Sequence, residues 1–136
     1  MFGKKAQPPI KSLIAQGSRI DGNLTFAEGL RVDGEICGDI TSNSQQPSIL
    51  VISESAVVRG AIHSDHVIIN GTVRGPVHAT ELLELQPKAR IEGDVKYRAL
   101  EMHQGAIIAG QLIPLVGGVD KGDEEKPTLK LAANNQ

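Results

Sequence analysis

From residue 14 to residue 115 apolar and polar residues alternate in short runs, and the runs recur along the chain. Three stretches align without gaps: LVISESAVVRGAI (Leu50–Ile62), LELQPKARIEGDV (Leu83–Val95) and LEMHQGAIIAGQL (Leu100–Leu112). They share L-x-[ILM]-x-x-x-A-x-[IV]-x-G-x-[IVL]. A shorter class is shared by VDGEICGDI (Val32–Ile40) and INGTVRGPV (Ile69–Val77), with [VI]-x-G-x-[IV]-x-G-x-[IV]. QGSRIDGNL (Gln16–Leu24) returns near the end as QGAIIAGQL (Gln104–Leu112). Self-similarity on this scale marks a solenoid.

Within a unit the period is two. Ile91, Gly93 and Val95 fall on one side and Glu92, Asp94 and Lys96 on the other, as in a strand with one buried face. A glycine between two inward aliphatics marks a place where a side chain would be crowded or the chain must bend. The steps from Gly75 to Gly93 and from Gly93 to Gly110 are 18 and 17 residues, room for three short strands and three corners. The expected fold is all-β: one three-sided β-helix (solenoid) of about six turns. No turn stands alone, because each needs its neighbours for hydrogen bonds and apolar contact. Thr41–Ser48 (TSNSQQPS) reads as a loop leaving one corner. Pro87 falls at a corner. Pro76, in an outward slot, removes a ladder donor and so marks a corner or strand end.

Three segments follow: a flexible N-terminal tail over 1–13, the β-helix over 14–115 and a disordered C-terminal tail over 116–136, which is polar and mixed in charge. Neither tail reads as a folded cap. A β-helix without caps ends in unpaired backbone groups over an apolar core, and such edges attract another copy. The expected end-to-end interface is Ile14, Ile20 and Leu24 at one end, and Ile108, Leu112, Ile113 and Leu115 at the other.

Composition supports a narrow, repeated core. Aromatics are 2% of the chain (Phe2, Phe26 and Tyr97), and the apolar supply is almost all Ile, Val, Leu and Ala. The formal net charge of −2 argues against a nucleic-acid partner. The lone Cys37 cannot form an internal disulfide and fits a reducing compartment. With no secretory signal and no long apolar run, the expected location is the cytoplasm. The N-terminus pairs apolar Met1 and Phe2 with Lys4 and Lys5. That combination suits weak peripheral contact with anionic headgroups, strengthened when many copies are joined. The glycine stands at position 3, not 2, which argues against myristoylation.

Candidate chemistry is thin. His63, His66 and His78 are the only histidines near enough to suggest a metal, but His63 and His78 each follow an inward aliphatic and so face outward or mark a corner. Cys37 lies in outward phase between acidic neighbours, a setting that disfavours a thiolate. Asp21, Asp33, Glu35, Asp39, Glu92 and Asp94 hold outward slots and are candidates for acidic stripes that dock a basic partner. GVDKG is not a phosphate-binding loop, so no nucleotide, cofactor, metal or catalytic residue is expected.

The N-terminal MFGKK, the repeated [IV]-x-G-x-[IV] strands and the near absence of aromatics resemble the bactofilins, bacterial cytoskeletal proteins. The resemblance covers Gln16 to about Leu115, with Met1–Lys5 matching a terminal motif. It implies a right-handed triangular β-helix that polymerises without nucleotide into non-polar filaments. It also implies a cytoplasmic scaffold, often on the inner face of the membrane, for cell-shape or cell-wall proteins. Two other classes compete. An acyltransferase built on hexapeptide repeats needs a strict six-residue period and a catalytic histidine on a long loop, which this chain lacks. A passive binding module that does not polymerise differs in concentration-dependent light scattering.

Overall fold

The computed structural model describes residues 8–43 and 45–115, and every regular element among them is a strand. β1 (Ser12–Ile14), β2 (Arg19–Asp21) and β3 (Leu24–Phe26) make the first turn. β4 (Gly29–Val32), β5 (Glu35–Cys37) and β6 (Ile40–Ser42) make the second. β7 (Ile49–Ile52) and β8 (Val57–Arg59) lead into β9 (Ile62–Ile69), which rounds a corner into the next turn. β10 (Thr72–Arg74), β11 (Val77–Leu85), β12 (Arg90–Glu92) and β13 (Val95–Met102) follow, and β14 (Ile107–Ala109) and β15 (Leu112–Pro114) close the sixth turn. The first rung thus begins at Ser12, two residues ahead of the expected start.

All pairings are parallel, and each strand pairs with its equivalents in the turns below and above. Three faces result, six rungs each, so the three-sided solenoid of six turns expected from the repeats is what forms. Face A stacks β1, β4, β7 and the second halves of β9, β11 and β13. Face B stacks β2, β5, β8, β10, β12 and β14. Face C stacks β3, β6, the first halves of β9, β11 and β13, and β15. Inward side chains form columns along the axis. On face B, Ile36, Val58, Val73 and Ile91 are at most 1% exposed. That burial of repeated aliphatics is the main favourable term holding turn to turn.

The corners explain the two repeat classes. Between faces B and C every turn contributes one glycine: Gly22, Gly38, Gly60, Gly75, Gly93 and Gly110. The turns approach so closely here that a Cβ on Gly93 would stand 2.6 Å from the carbonyl oxygen of Gly75. Only a residue without a side chain fits. Between faces A and B two corner types occur. Four-residue turns closed by Ser18 N–H to Ala15 O, Ala56 N–H to Ser53 O, Ala89 N–H to Gln86 O and Ala106 N–H to His103 O serve the longer repeats. Gly34 and Gly71 replace that turn with a tight bend in the shorter repeats, nested against Ser18 O and Ser53 O. Pro87 lies in one of the four-residue turns, as expected.

The third corner, between faces C and A, departs from the expected loop. Thr41 and Ser42 complete β6, with Thr41 in register with His63, so the chain leaves the ladder only after Ser42. The far end of the connection is folded inward: Ser48 is 1% exposed and its Oγ lies 2.9 Å from that of Ser64, itself 0% exposed. Asp65 N–H donates to Ser48 Oγ, Ser48 N–H donates to Asp65, and the Thr80 hydroxyl donates to the other oxygen of Asp65. A buried polar corner is stable only when its groups are paired in this way.

Candidate functional site

The two terminal turns carry the apolar residues that the core leaves uncovered. On the upper turn, Leu112 continues the inward column of Val95, and Met102 that of Leu85. Val95 and Leu85 are 0% exposed, whereas Leu112 and Met102 are each 46% exposed. Ile108 continues the column of Ile91 and is half-buried. The chemistry of the column does not change between the fifth and sixth rungs. Among the described residues no seventh rung follows, and that separates a buried side chain from an exposed one.

At the lower turn Ile14, Ile20 and Leu24 sit beneath Val32, Ile36 and Ile40 and are half-buried. Phe26, in the same turn, is 8% exposed. Both ends therefore present an inward aliphatic layer and a row of strand-edge backbone groups.

Five of the seven expected interface residues, Ile14, Ile20, Leu24, Ile108 and Leu112, lie in these end layers. Ile113 does not. It is in register with Lys96, in the outward column of Thr25, Thr41, His63 and His78, so it leaves face C sideways. The strict alternation of a strand sends the neighbour of an inward Leu112 outward. Leu115 follows Pro114 at the corner, half-buried, with its N–H on Tyr97 O at 2.6 Å. Met102 shares this end layer without being among the expected residues, although its place in the repeat, level with Leu85 and Ile52, marks it as inward. Met1, Phe2, Lys4 and Lys5 lie outside the described residues.

Face B replaces the expected acidic stripe with ion pairs. Glu35 lies between Arg19 and Arg59 and pairs with both, Asp21 pairs with Arg19, and Arg74 approaches Glu92 at 3.7 Å. Parallel in-register stacking brings the arginines of one turn beside the acids of the next, so no unopposed acidic row forms. Asp33 is held by Ser53 and Arg31, and the Ser53 hydroxyl is the larger cause of its carboxyl sitting below the usual range. Asp39 and Asp94 are used at the glycine corner, where they accept the backbone N–H of Ala61 and Gln111.

His63 and His78 stack edge to face on face C, centroids 4.5 Å apart, while His66 belongs to face A in register with Ile49 and Leu82. Burial holds the pKa of His78, and more directly that of His66, below the ordinary histidine value. Among the described residues no three His, Cys, Asp or Glu side chains converge as a metal site would require. Cys37 is half-buried on the outward side of face B, with Sγ 4.0 Å from a Glu35 carboxylate oxygen. No helix among the described residues is long and apolar enough to cross a membrane.

The family model described as "Bactofilin: Polymer-forming cytoskeletal" matches residues 12–113. The chain is 32% identical over 110 residues to bactofilin BacP of Myxococcus xanthus, covering 81% of this chain and 41% of that protein. It is 27% identical over 111 residues to bactofilin BacO of the same organism, covering 82% of this chain and 85% of the relative. This chain thus spans about two fifths of the length of BacP. No solved structure matches it.

Proposed function

Because this chain belongs to the bactofilin family, whose description is polymer-forming and cytoskeletal, we propose that it assembles end to end into filaments that need no nucleotide. The observation that carries the reading is the step from Val95, 0% exposed, to Leu112, 46% exposed, in one unbroken column. A second copy laid on the end supplies the missing rung. Covering the exposed halves of Leu112 and Met102 contributes about 1 kcal/mol each, and the strand edges gain backbone partners. Both ends are aliphatic, and the arrangement that the resemblance to bactofilins implies, like end on like end, makes the filament non-polar.

The filament is further proposed to lie on the inner face of the cytoplasmic membrane and to act as a scaffold for cell-shape or cell-wall proteins. Met1 and Phe2 would enter the interface while Lys4 and Lys5 meet anionic headgroups, at about 1 kcal/mol per lysine. One copy binds weakly, and a filament that presents many copies binds firmly. The part is structural, with no catalytic role proposed for any residue.

Negative-stain microscopy of the purified chain, with and without added nucleotide, tests the assembly reading. Filaments are expected in both samples, and Leu112→Asp is expected to reduce them to small particles. Small particles from the unmodified chain at every concentration would overturn it. For the membrane reading, co-sedimentation with anionic vesicles is expected to be lost when residues 1–5 are deleted, and unchanged pelleting would overturn it.

A further inference from the structure

The outward residues of face A, from the first turn to the sixth, are Leu13, Arg31, Val51, Ile68, Glu84 and Glu101. A sheet face turned to water ordinarily carries polar side chains. Here the two central positions are β-branched and apolar, with the cation on one side of them and both acids on the other. On face B acids and arginines are interspersed and pair with one another, while on face A Arg31 pairs with Asp33 and Glu84 lies 3.6 Å from His103. The charge of the face A column reverses about its own midpoint, between Val51 and Ile68.

A surface that is apolar at its centre and opposite in charge on either side is complementary to itself. A two-fold axis at that midpoint, running along the strands, sets Val51 of one copy opposite Ile68 of the other. The same rotation sets Arg31 opposite Glu84, twice over. Arg31 is 51% exposed, and its Nε is bound to Asp33 at 2.9 Å, which orients the guanidinium on the face. In the adjoining row Gly29, Ile49, His66 and Leu82 occupy successive turns. There the rotation brings Leu82 opposite Gly29, a position covered by the backbone of Pro9 and Ile10. Lys11, joined to Gly29 through its N–H and paired with Glu28 at 3.1 Å, stands on the first turn where Glu101 arrives. A parallel pairing instead lays Arg31 on Arg31, Glu84 on Glu84 and Glu101 on Glu101, which is repulsive at three turns.

We propose that face A is a lateral interface for a second copy of this chain, docked antiparallel through the Arg31–Glu84 and Val51–Ile68 contacts. Six strands about 4.8 Å apart and four residues of about 3.3 Å give a face of roughly 400 Å². Two such faces bury less than the roughly 1,000 Å² that a lasting pair of protomers needs. The contact therefore rests on the filament reading for its strength: repetition along two polymers makes a weak pairing durable. It joins filaments side by side, each protomer docked on one that points the opposite way.

Cysteine cross-linking tests this in a Cys37→Ser background. Chains carrying Arg31→Cys are mixed with chains carrying Glu84→Cys, allowed to assemble and then oxidised. The mixed dimer keeps one native Arg31–Glu84 contact while presenting one cysteine pair. A disulfide-linked dimer is expected from the mixture and none from Arg31→Cys alone. In the antiparallel arrangement two cysteines at position 31 lie three turns apart, about 14 Å, beyond the reach of a disulfide. Equal cross-linking by Arg31→Cys alone, or none in the mixture, overturns the proposal. Microscopy of the same samples separates the two readings. Filaments without cross-links reject the lateral contact and leave end-to-end assembly standing. Cross-links without filaments do the reverse. In addition, Arg31→Glu and Glu84→Arg are each expected to abolish side-by-side pairing, and the double variant to regain it. Failure of the double variant to pair also counts against the antiparallel geometry.

Discussion

Pro76 stands directly above Ala61 at the glycine corner, and each lacks what the other would require. At three other steps of this column a side-chain oxygen accepts the backbone N–H of the turn above: Asn23 from Asp39, Asp39 from Ala61, and Asp94 from Gln111, at 2.8–2.9 Å. Ala61 offers no acceptor, and Pro76 has no N–H to donate. The proline that breaks the sequence pattern thus stands above a residue with no side-chain acceptor to bind an N–H.

This relation predicts a coupled pair of substitutions. Asp39→Ala is expected to cost about 1 kcal/mol by leaving the Ala61 N–H without its partner, and Asp39→Asn less, since the amide oxygen still accepts. Pro76→Ala is expected to be destabilising alone and to be rescued in part by Ala61→Asn, whose side chain supplies the missing acceptor. Denaturant unfolding in a Leu112→Asp background, where assembly does not add to apparent stability, measures each value. Equal effects of Ala61→Asn with and without Pro76 would refute the coupling.

The glycines differ in what they tolerate. Gly93→Ala is expected to cost about 1–3 kcal/mol, because the new Cβ meets the Gly75 carbonyl and the turns must separate. Gly17 has φ +92°, but nothing lies within 4 Å of a Cβ built there, so Gly17→Ala costs only its backbone strain, about 1 kcal/mol. Thermal melting of the two variants in the same non-assembling background orders them, and the reverse order would contradict the close-packed corner.

Acid sensitivity is expected near the ordinary histidine range. The Nε2 of His66 is buried without a hydrogen-bond partner among the described residues, and burial lowers its pKa against the opposing pull of Glu84 and Glu101. A folded-state pKa below the unfolded one means that the unfolded chain binds more protons in the interval between them. The stability contributed by neutral His66 is then complete above the ordinary histidine pKa. It falls as pH drops through that range to the lowered folded value, and is flat below it. His66→Leu is expected to flatten the pH dependence of unfolding on the acid side of the ordinary histidine pKa. An unchanged slope would place the sensitivity elsewhere, with His78 the next residue to substitute.

The buried serine corner is expected to act as a unit. Ser64→Ala leaves Ser48 without its hydroxyl partner and is expected to cost about 1–2 kcal/mol. Ser48→Ala also removes the acceptor of the Asp65 N–H and is expected to cost more. The double variant is expected to cost less than the sum of the two, because both singles break one shared bond. A strictly additive double-mutant cycle would contradict this.

Much of the molecule is legible in the chain because a solenoid repeats its local rules. The two repeat classes correspond to two corners: alanine-bearing units turn through four residues, and shorter units bend at Gly34 or Gly71. The glycine between inward aliphatics, as in Ile91-Glu92-Gly93-Asp94-Val95, becomes the corner in all six turns and packs on the turn below in the five from Gly38 onward. Other features depend on register, which pattern alone does not supply. Asp21, Glu35 and Glu92 look acidic as a set until stacking places arginines beside them. Ser48 and Ser64 look like loop chemistry until the third corner folds them inward. Val51 and Ile68 are hidden inside the unbroken apolar runs Ile49–Ile52 and Val67–Ile69. Only alternation against a fixed neighbour reveals that they point out.

Fibre diffraction from oriented assemblies bears most directly on the end-to-end account. Strands that stack along the filament through continuous rungs place the inter-strand reflection, near 4.8 Å, on the meridian. That is the expected pattern, and it is lost when Leu112→Asp blocks the end. A reflection of the same spacing on the equator would mean that protomers join through their sides, and the open terminal rung would not be the site of assembly.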